Sequence, residues 1–138
     1  MFKIGVVGAG HLGKIHLKIL KNASFVDLIG FYDSDSLVRK NINSELGIKS
    51  FETYQELIEN SDIIDIVTPT LSHYTCAKEA LKQDKHVFIE KPVTHTLDEV
   101  RKLIKITQIT GKKVQVGHVE RFNPAFTEAS KLIHQPRF

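Results

Sequence analysis

The 138-residue sequence has few features of secreted or membrane proteins. Tryptophan is absent, and the single cysteine, Cys76, excludes an internal disulfide and suits a reducing compartment. No apolar run approaches the roughly 20 residues that a transmembrane helix needs. The N-terminal apolar run is broken by glycine and preceded by a single lysine, unlike a signal peptide. We therefore expect a cytoplasmic protein without a membrane partner, with Cys76 as a buried structural thiol in a helix.

The sequence also lacks a strong excess of charge of either sign. Nineteen Lys and Arg against sixteen Asp and Glu leave a net charge of +3. The basic residues are scattered as on solvated helix faces, and no basic stripe interleaved with aromatics is present. This pattern argues against a nucleic-acid partner, although the small positive excess could assist binding of an anionic ligand.

Apolar runs alternate with helical patterns along the whole chain. This alternation predicts an α/β fold, a doubly wound and mainly parallel sheet with helices on both faces. The predicted strands cover 2–7, 25–32, 62–67, 86–89 and 113–117, and the predicted helices cover 11–21, 35–45, 53–59, 72–82, 96–109 and 124–134. A short extended piece near 48–51 could add a strand. Right-handed crossovers place all carboxyl ends of the strands along one edge, where such sheets bind ligands.

The first predicted strand runs directly into a glycine-rich turn and then a helix. Gly8, Gly10 and Gly13 have the G-x-G-x-x-G spacing, with His11 and Leu12 in the same loop. Gly8 would make the tight turn, Gly10 would let the backbone approach a pyrophosphate, and Gly13 would let helix and strand pack closely. The free N–H groups at the helix start would bind the pyrophosphate. The loop therefore predicts a dinucleotide-binding Rossmann domain.

Asp33 ends the second predicted strand, twenty residues beyond the last glycine of the loop. A carboxylate at this point accepts hydrogen bonds from the adenosine ribose, and it would repel the 2′-phosphate of NADP. NAD is therefore the favoured cofactor, although Ser34, Ser36 and Arg39 keep NADP possible. The alternative is that Asp33 and Asp35 both cap the next helix, and Asp35 is a predicted cap.

Polar or special-backbone residues also follow the other strands where each ends. The strand bodies carry few polar residues, with Asp27 and Asp65 as the exceptions. This segregation predicts a binding site along the edge of the sheet. The residues concerned are Thr68, Pro69 and His73 after the third strand, Glu90, Lys91 and Pro92 after the fourth, and His118, Arg121 and Asn123 after the fifth.

Lys91 is the candidate catalytic residue. Oxidation of an alcohol by hydride transfer needs a group that takes the hydroxyl proton, and a lysine can do so when partial burial or a neighbouring cation lowers its pKa. The alternative is a surface lysine beside a strand-ending proline. Glu90 could pair with Lys91, cap a backbone N–H or touch the cofactor ribose. The Lys91–Pro92 bond is a predicted cis peptide.

In this order and spacing, the motifs resemble the N-terminal half of the Gfo/Idh/MocA oxidoreductases, the family of glucose–fructose oxidoreductase and inositol dehydrogenase. The similarity extends from residue 2 to about residue 125, and Glu90-Lys91-Pro92 is its most diagnostic part. The matching segments are the glycine loop 8–13 with His16, residues 32–35, Thr68-Pro69 with His73, residues 90–92 and residues 117–125.

The resemblance implies NAD(P)-dependent hydride transfer at a carbon of a sugar, cyclitol or nucleotide sugar, and no metal site. Lys91 would transfer the proton or bind the reacting oxygen. Thr68, Pro69, His73 and Glu90 would lie on the cofactor, and His118, Arg121 and Asn123 would lie towards the substrate. A guanidinium such as that of Arg121 binds a carboxylate or phosphate through two hydrogen bonds. The alternative for Arg121 and Asn123 is a helix-start network, with Asn123 as N-cap.

Members of this family carry a second α+β domain, which supplies a catalytic histidine and the usual oligomer surface. The resemblance therefore implies that residues 1–118 form the Rossmann domain, and that residues 119–138 form a connecting helix and the start of a truncated substrate domain. His134 is expected to end that helix and not to replace the missing histidine. A fragment of this kind would expose apolar surface and self-associate, so a homo-oligomer is expected.

Two other functions remain open at this point. The chain could be a stand-alone NAD-binding module that senses redox state or regulates a partner, with Lys91 catalytically idle. It could also belong to a reductase of another carbonyl compound or of a linear tetrapyrrole. Activity with sugars and sugar nucleotides, compared with cofactor binding alone, separates the enzyme from the module.

Overall fold

The computed structural model of the protein describes residues 1–133, and His134 lies outside that range. Within these residues five strands alternate with helices, as the sequence predicts. The strands are β1 (Phe2–Val7), β2 (Val26–Tyr32), β3 (Ile63–Ile66), β4 (His86–Ile89) and β5 (Val114–Val116). The helices are α1 (His11–Lys21), α2 (Ser36–Leu46), α3 (Tyr54–Asn60), α4 (Thr70–Lys82), α5 (Leu97–Thr110) and α6 (Pro124–Ile133), with a 3₁₀ turn (Val119–Phe122) before α6.

All five strands are parallel, in the order β2-β1-β3-β4-β5. Val7 pairs with Tyr32 on one side and Ile66 on the other, Ile66 pairs with Ile89, and Ile89 pairs with Val116. These five residues are the last of their strands, so the strands end level along one edge. The doubly wound parallel fold predicted from the sequence is confirmed.

The helices begin where side chains satisfy their free backbone N–H groups. The Thr53 and Thr96 hydroxyls accept hydrogen bonds from the third helical N–H, and Glu56 and Glu99 reciprocate towards the cap residues. The Asp35 carboxylate accepts a hydrogen bond from the Leu37 N–H at 2.8 Å. The predicted cap at Asp35 is confirmed, and the helices start close to their predicted positions.

Two apolar layers cover the two faces of the sheet. Helices α1 and α2 pack over β1 and β2 through Leu17 and Ile42, which lie against Val6 and Phe31. Helices α3, α4 and α5 pack on the opposite face. Burial of this apolar surface is the main stabilising contribution to the fold. The residues of the second layer include Leu57, Ile58, Ile64, Ile66, Leu81, Val87, Ile89 and Leu103.

Three local features differ from the sequence-based expectations. The extended piece near 48–51 makes a single bridge, between Ser50 and Phe31, and not a strand. The 3₁₀ turn was not predicted because four residues are too few to show a helical period. Cys76 is half-buried in α4 and not fully buried. This burial raises the pKa of its thiol to about 11, so Cys76 is a poor nucleophile.

None of the helices in residues 1–133 combines the length and the apolar character needed to cross a membrane. The same residues contain no cluster of His, Cys, Asp and Glu side chains that could hold a metal ion.

Candidate functional site

The glycine loop joins β1 to α1 at the carboxyl edge of the sheet, and two of its glycines are required by the fold. Gly8 has a φ of +92°, and a Cβ on it would lie 2.7 Å from the Val67 carbonyl oxygen. A Cβ on Gly13 would lie 2.0 Å from the Gly8 carbonyl oxygen. Any side chain at either position would displace backbone, so the close approach of helix, turn and strand needs glycine at both.

Glycine at position 10 is not required by the fold. Its φ is −64°, and a Cβ on it would meet no atom of the described residues within 4 Å. Gly10 is also the N-cap of α1 and supplies no side-chain acceptor for the N–H groups of the first turn, where His11 and Leu12 are exposed. Since neither backbone strain nor packing requires glycine here, the open space and the unsatisfied N–H groups form a cradle for an anion. The loop therefore fits the pyrophosphate of a dinucleotide.

Asp33 follows β2 at the same edge, and its carboxylate is tied to the glycine loop. Oδ2 accepts a hydrogen bond from the Ala9 N–H at 2.7 Å, and Oδ1 accepts one from the Asp35 N–H at 2.9 Å. Because Asp35 is the N-cap of α2, Asp33 is not simply a second cap. The two bonds hold its carboxylate beside the loop, in position to accept hydrogen bonds from a ribose.

Arg39 lies beside Asp33 but is occupied by other partners. Its Nη1 donates to the Asp33 carbonyl oxygen at 2.8 Å, and its Nη2 donates to Glu52 Oε2 at 3.0 Å. The guanidinium carbon lies 5.7 Å from the centre of the Tyr32 ring, and the side chain is only 14% exposed. Arg39 would have to leave these contacts to bind a 2′-phosphate.

Glu90, Lys91 and Pro92 form a turn directly after β4. The Lys91–Pro92 peptide bond is cis, as predicted from the sequence. Lys91 is exposed, whereas Glu90 is buried with its Oε2 accepting a hydrogen bond from the Lys91 N–H at 3.2 Å. Of the three roles left open for Glu90, capping a backbone N–H is the one that the structure shows.

His73, in the first turns of α4, lies between the loops that follow β3 and β4. It is 1% exposed, with Nδ1 2.9 Å from the Pro92 carbonyl oxygen and Nε2 2.8 Å from the Thr68 carbonyl oxygen. Each ring nitrogen thus lies within hydrogen-bond distance of a carbonyl oxygen from one of the two loops, so the imidazole holds these loops together. Pro69 is exposed at the start of α4, and Thr68 Oγ1 is buried without a partner among the described residues.

A cavity of about 430 Å³ brings three of the predicted site residues together. Lys91 lines it with His118 and Arg121, and both cationic side chains are exposed. Two positive charges and an imidazole around one opening suit a polar or anionic ligand. The remaining lining residues are Val119, Glu120 and Phe126.

Asn123 does not line that cavity. Its Oδ1 accepts a hydrogen bond from the Ala125 N–H at 3.0 Å, and its Nδ2 donates to Glu120 Oε2 at 2.9 Å. The Asn123 side chain therefore caps α6, the arrangement that the helix-start alternative describes.

A buried cluster of three titratable side chains was missed by sequence reasoning. His16 Nδ1 donates to Asp65 Oδ2 at 2.9 Å, and His16 Nε2 lies 3.5 Å from Glu90 Oε1. The hydrogen bond to Asp65 raises the pKa of His16, and burial raises the pKa of the Asp65 carboxyl. The one indication of this cluster in the sequence is Asp65, a carboxylate in the middle of an otherwise apolar strand.

A larger groove of about 630 Å³ lies on the α1 side of the sheet, towards the amino ends of the strands. Phe2, Phe25 and Phe88 make its walls mostly apolar, and His16 and Asp65 also line it. Lys91 and the glycine loop do not line this groove, so it is separate from the candidate site.

The chain is similar to several curated dehydrogenases. It is 33% identical over 123 residues to the UDP-N-acetylglucosamine 3-dehydrogenase of Acidithiobacillus ferrooxidans, a match that covers 89% of this chain and 39% of that protein. It is 32% identical over 135 residues to the scyllo-inositol 2-dehydrogenase (NAD(+)) of Bacillus subtilis, covering 95% of this chain and 40% of that protein. The chain thus spans about two fifths of the length of these relatives.

A solved structure of the Acidithiobacillus ferrooxidans UDP-N-acetylglucosamine 3-dehydrogenase superposes on this chain with a TM-score of 0.86 at 31% identity, covering 95% of this chain and 43% of that one. Residues 2–118 match the model of a family described as an oxidoreductase family with an NAD-binding Rossmann fold. That match includes the glycine loop, Asp33 and the Glu90-Lys91-Pro92 turn, and it confirms the resemblance stated from the sequence. The chain belongs to the Gfo/Idh/MocA oxidoreductase family and forms its NAD-binding Rossmann fold.

Proposed function

We propose that this chain is the cofactor-binding part of an NAD-dependent dehydrogenase that transfers a hydride between the nicotinamide and a hydroxyl or carbonyl carbon of a sugar-type substrate. The observation that carries the proposal is the level carboxyl edge of the sheet. It places the glycine loop and Asp33 on one side, and Lys91 on the other, at a cavity shared with His118 and Arg121.

The described residues carry groups suited to each part of NAD. The N–H groups at the start of α1 would hold the pyrophosphate, with Gly10 leaving room for it, and Asp33 would accept the hydroxyls of the adenosine ribose. Thr68, Pro69 and the Lys91 turn lie at the next two strand ends, which we assign to the nicotinamide side. NAD supplies the hydride acceptor of the reaction.

We propose NAD and not NADP as the preferred cofactor. Two backbone N–H groups hold the Asp33 carboxylate beside the loop, where its negative charge would repel a 2′-phosphate. Arg39, the neighbouring cation, is engaged by Glu52 and by the Asp33 carbonyl oxygen. Arg39 would therefore have to break these hydrogen bonds in order to bind a 2′-phosphate.

Within the substrate cavity, Lys91 would take the proton from the reacting hydroxyl in oxidation and return it in reduction. Arg121 would bind an anionic group of the substrate, and His118 would donate or accept a hydrogen bond. This grouping favours an enzyme over a redox-sensing module, because a module would have no use for Lys91 beside a ligand cavity. His73 and Asn123 would act through the backbone that they hold.

The substrate class follows from the relatives, which are named for UDP-N-acetylglucosamine and scyllo-inositol. We propose a nucleotide sugar, sugar or cyclitol for this protein. We also propose that residues 1–118 form the Rossmann domain and that a connecting segment begins at residue 119. We propose a cytoplasmic location for the protein.

Exposed apolar side chains such as Phe25 and Ile19 support self-association.

Calorimetric titration with NAD⁺, NADH and NADPH tests the cofactor proposal. We expect NAD⁺ and NADH to bind more tightly than NADPH. Asp33→Ala should weaken binding of NAD⁺ and NADH, and it should reduce the difference in affinity between NADH and NADPH. Asp27→Ala, which removes an exposed carboxylate elsewhere on β2, is the matched control and should bind as the wild type does. Absence of binding by all three nucleotides, or an unchanged preference in Asp33→Ala, would contradict the proposal.

A further inference from the structure

His16, Asp65 and Glu90 come from three different elements and meet on the α1 face of the sheet. Their side chains are 17%, 4% and 9% exposed, so two carboxylates share a largely buried space with one imidazole. Buried carboxylates are stabilised when a cation or hydrogen-bond donor compensates them. A protonated His16 does both, because its two N–H groups face the two carboxylates.

The cluster reaches the Lys91 turn through Glu90. One carboxylate oxygen of Glu90 faces His16, and the other accepts the Lys91 N–H. A Cβ on Gly117 would lie 2.6 Å from Glu90 Oε1, so glycine at the end of β5 leaves the space that this carboxylate occupies. The turn is thus fixed through Glu90 on one side and through His73, at the Pro92 carbonyl oxygen, on the other.

We propose that His16 is a positioning residue for Lys91: as an imidazolium between Asp65 and Glu90, it orients the Glu90 carboxylate that holds the Lys91 amide. The inference rests on the proposed function in giving Lys91 a role at the nicotinamide. His16 does not line the cavity that Lys91 lines, so it acts through Glu90. Loss of one His16 proton leaves a neutral ring with a single N–H, so one of the two buried carboxylates then faces an acceptor nitrogen and the turn loosens.

The surroundings of His16 support this assignment. The raised pKa of His16 keeps the ring protonated over more of the pH range. Phe88 lies against it edge to face, with ring centres 6.1 Å apart. The charged or titratable groups that share its groove and cluster are Asp65 on β3, His86 on β4, Glu90 directly after β4, and Lys113 before β5. Asp65 Oδ1 is buried without a partner among the described residues, so His16 is the main compensation for that carboxylate.

The first test needs no variant and no cofactor. In nuclear magnetic resonance spectra of the wild-type chain, the His16 ring and the Lys91 backbone amide are followed between about pH 5 and about pH 9. We expect the Lys91 amide shift to inflect at the midpoint of the His16 titration. A Lys91 amide that does not respond at that midpoint would overturn the proposal.

Variants then separate His16 from its surroundings. His16→Gln should abolish the inflection of the Lys91 amide, and His86→Gln, which removes the other histidine of the groove, should retain it. If His16→Gln fails to fold, Glu90→Gln replaces it: His16 should then titrate at a lower midpoint while the Lys91 amide no longer follows. Persistence of the inflection in either His16→Gln or Glu90→Gln contradicts the proposal.

The affinity for NADH, measured over the same pH range, tests whether the cluster of His16, Asp65 and Glu90 affects the cofactor site. We expect affinity to fall above the His16 midpoint in the wild type and in His86→Gln, and to lose this dependence in His16→Gln. No NADH binding at any pH would overturn the proposed function and leave the coupling of His16 to Lys91 standing. Binding with the same pH profile in wild type and His16→Gln would overturn the positioning role instead.

Discussion

The carbonyl oxygen of Pro92 lies 2.9 Å from Nδ1 of His73, and this contact fastens the cis turn that carries Lys91 to the first turns of α4. Nε2 of the same ring reaches the Thr68 carbonyl oxygen. One buried imidazole therefore fixes the spacing of the loops that follow β3 and β4. This spacing decides where Lys91 stands at the edge of the sheet.

Replacement of His73 should therefore destabilise the protein. His73→Ala leaves two carbonyl oxygens without their partner and opens a cavity, and we expect the free energy of unfolding to fall by about 2–4 kcal/mol. Urea denaturation measures it. His95→Ala, at an exposed histidine, should change stability by less than about 0.5 kcal/mol. A His73→Ala variant as stable as His95→Ala would show that the ring does not hold the loops.

Gly10→Ala and Gly13→Ala should separate binding from folding. A Cβ at Gly13 would lie 2.0 Å from backbone, so Gly13→Ala should unfold or strongly destabilise the protein. A Cβ at Gly10 meets open space at an ordinary φ, so Gly10→Ala should cost no more than about 1 kcal/mol, yet weaken NADH binding by about tenfold or more. Thermal unfolding and calorimetry measure the two effects. Unchanged NADH affinity in Gly10→Ala would exclude close approach of the pyrophosphate.

The stabilising contribution of His16 should depend on pH. The pKa of His16 is raised in the folded protein above its ordinary value of 6.5, so the folded state binds this proton more tightly. The contribution is fully present below the unfolded pKa and is lost as pH rises through the folded pKa. The stability difference between wild type and His16→Gln should therefore shrink from about pH 6 to about pH 9. A difference that stays constant or grows in denaturant titrations at those pH values would contradict the assignment.

The apolar groove on the α1 face should mediate self-association. Phe25 is 75% exposed at its rim, and Ile19 of α1 is 62% exposed. We expect sedimentation to show association that increases with concentration and is weakened by Phe25→Ser. Ile109→Ser is the matched control, because Ile109 is 84% exposed on α5, outside the groove. A wild-type chain that stays monomeric at high concentration, or equal weakening by both variants, would exclude the groove as the contact.

The sequence predicted the sheet closely because its strands are short apolar runs with polar residues at their ends. The bounds of β1 and β4 agree with the predicted segments, and the other strands differ by a residue at one or both ends. Asp33, Lys91 and the glycines could be found because each occupies a strand end, and parallel topology brings strand ends together. For Asn123 the sequence left a substrate contact and a helix cap open, and the structure shows the hydrogen bond of the cap.

The cluster of His16, Asp65 and Glu90 could not be predicted in the same way. Its members are 49 and 25 residues apart in sequence, and their contact depends on α1 crossing the sheet face over β3 and β4. Likewise, His73 looked like a cofactor contact, yet the structure buries it against two carbonyl oxygens. Side-chain direction at these positions depends on packing between elements, which no local pattern records.

By itself, the sequence determined the parallel α/β fold, the anion cradle at the first glycine loop and the placement of Lys91 at the carboxyl edge. Each follows from local rules: alternating periodicities, the spacing of glycines between a strand and a helix, and the common direction of parallel strands. Only the tertiary structure decided which side chains line the cavity at the carboxyl edge and which ones bind the backbone of the surrounding loops. That choice arises from close packing, because distant residues become partners only when helices and strands fix their relative positions.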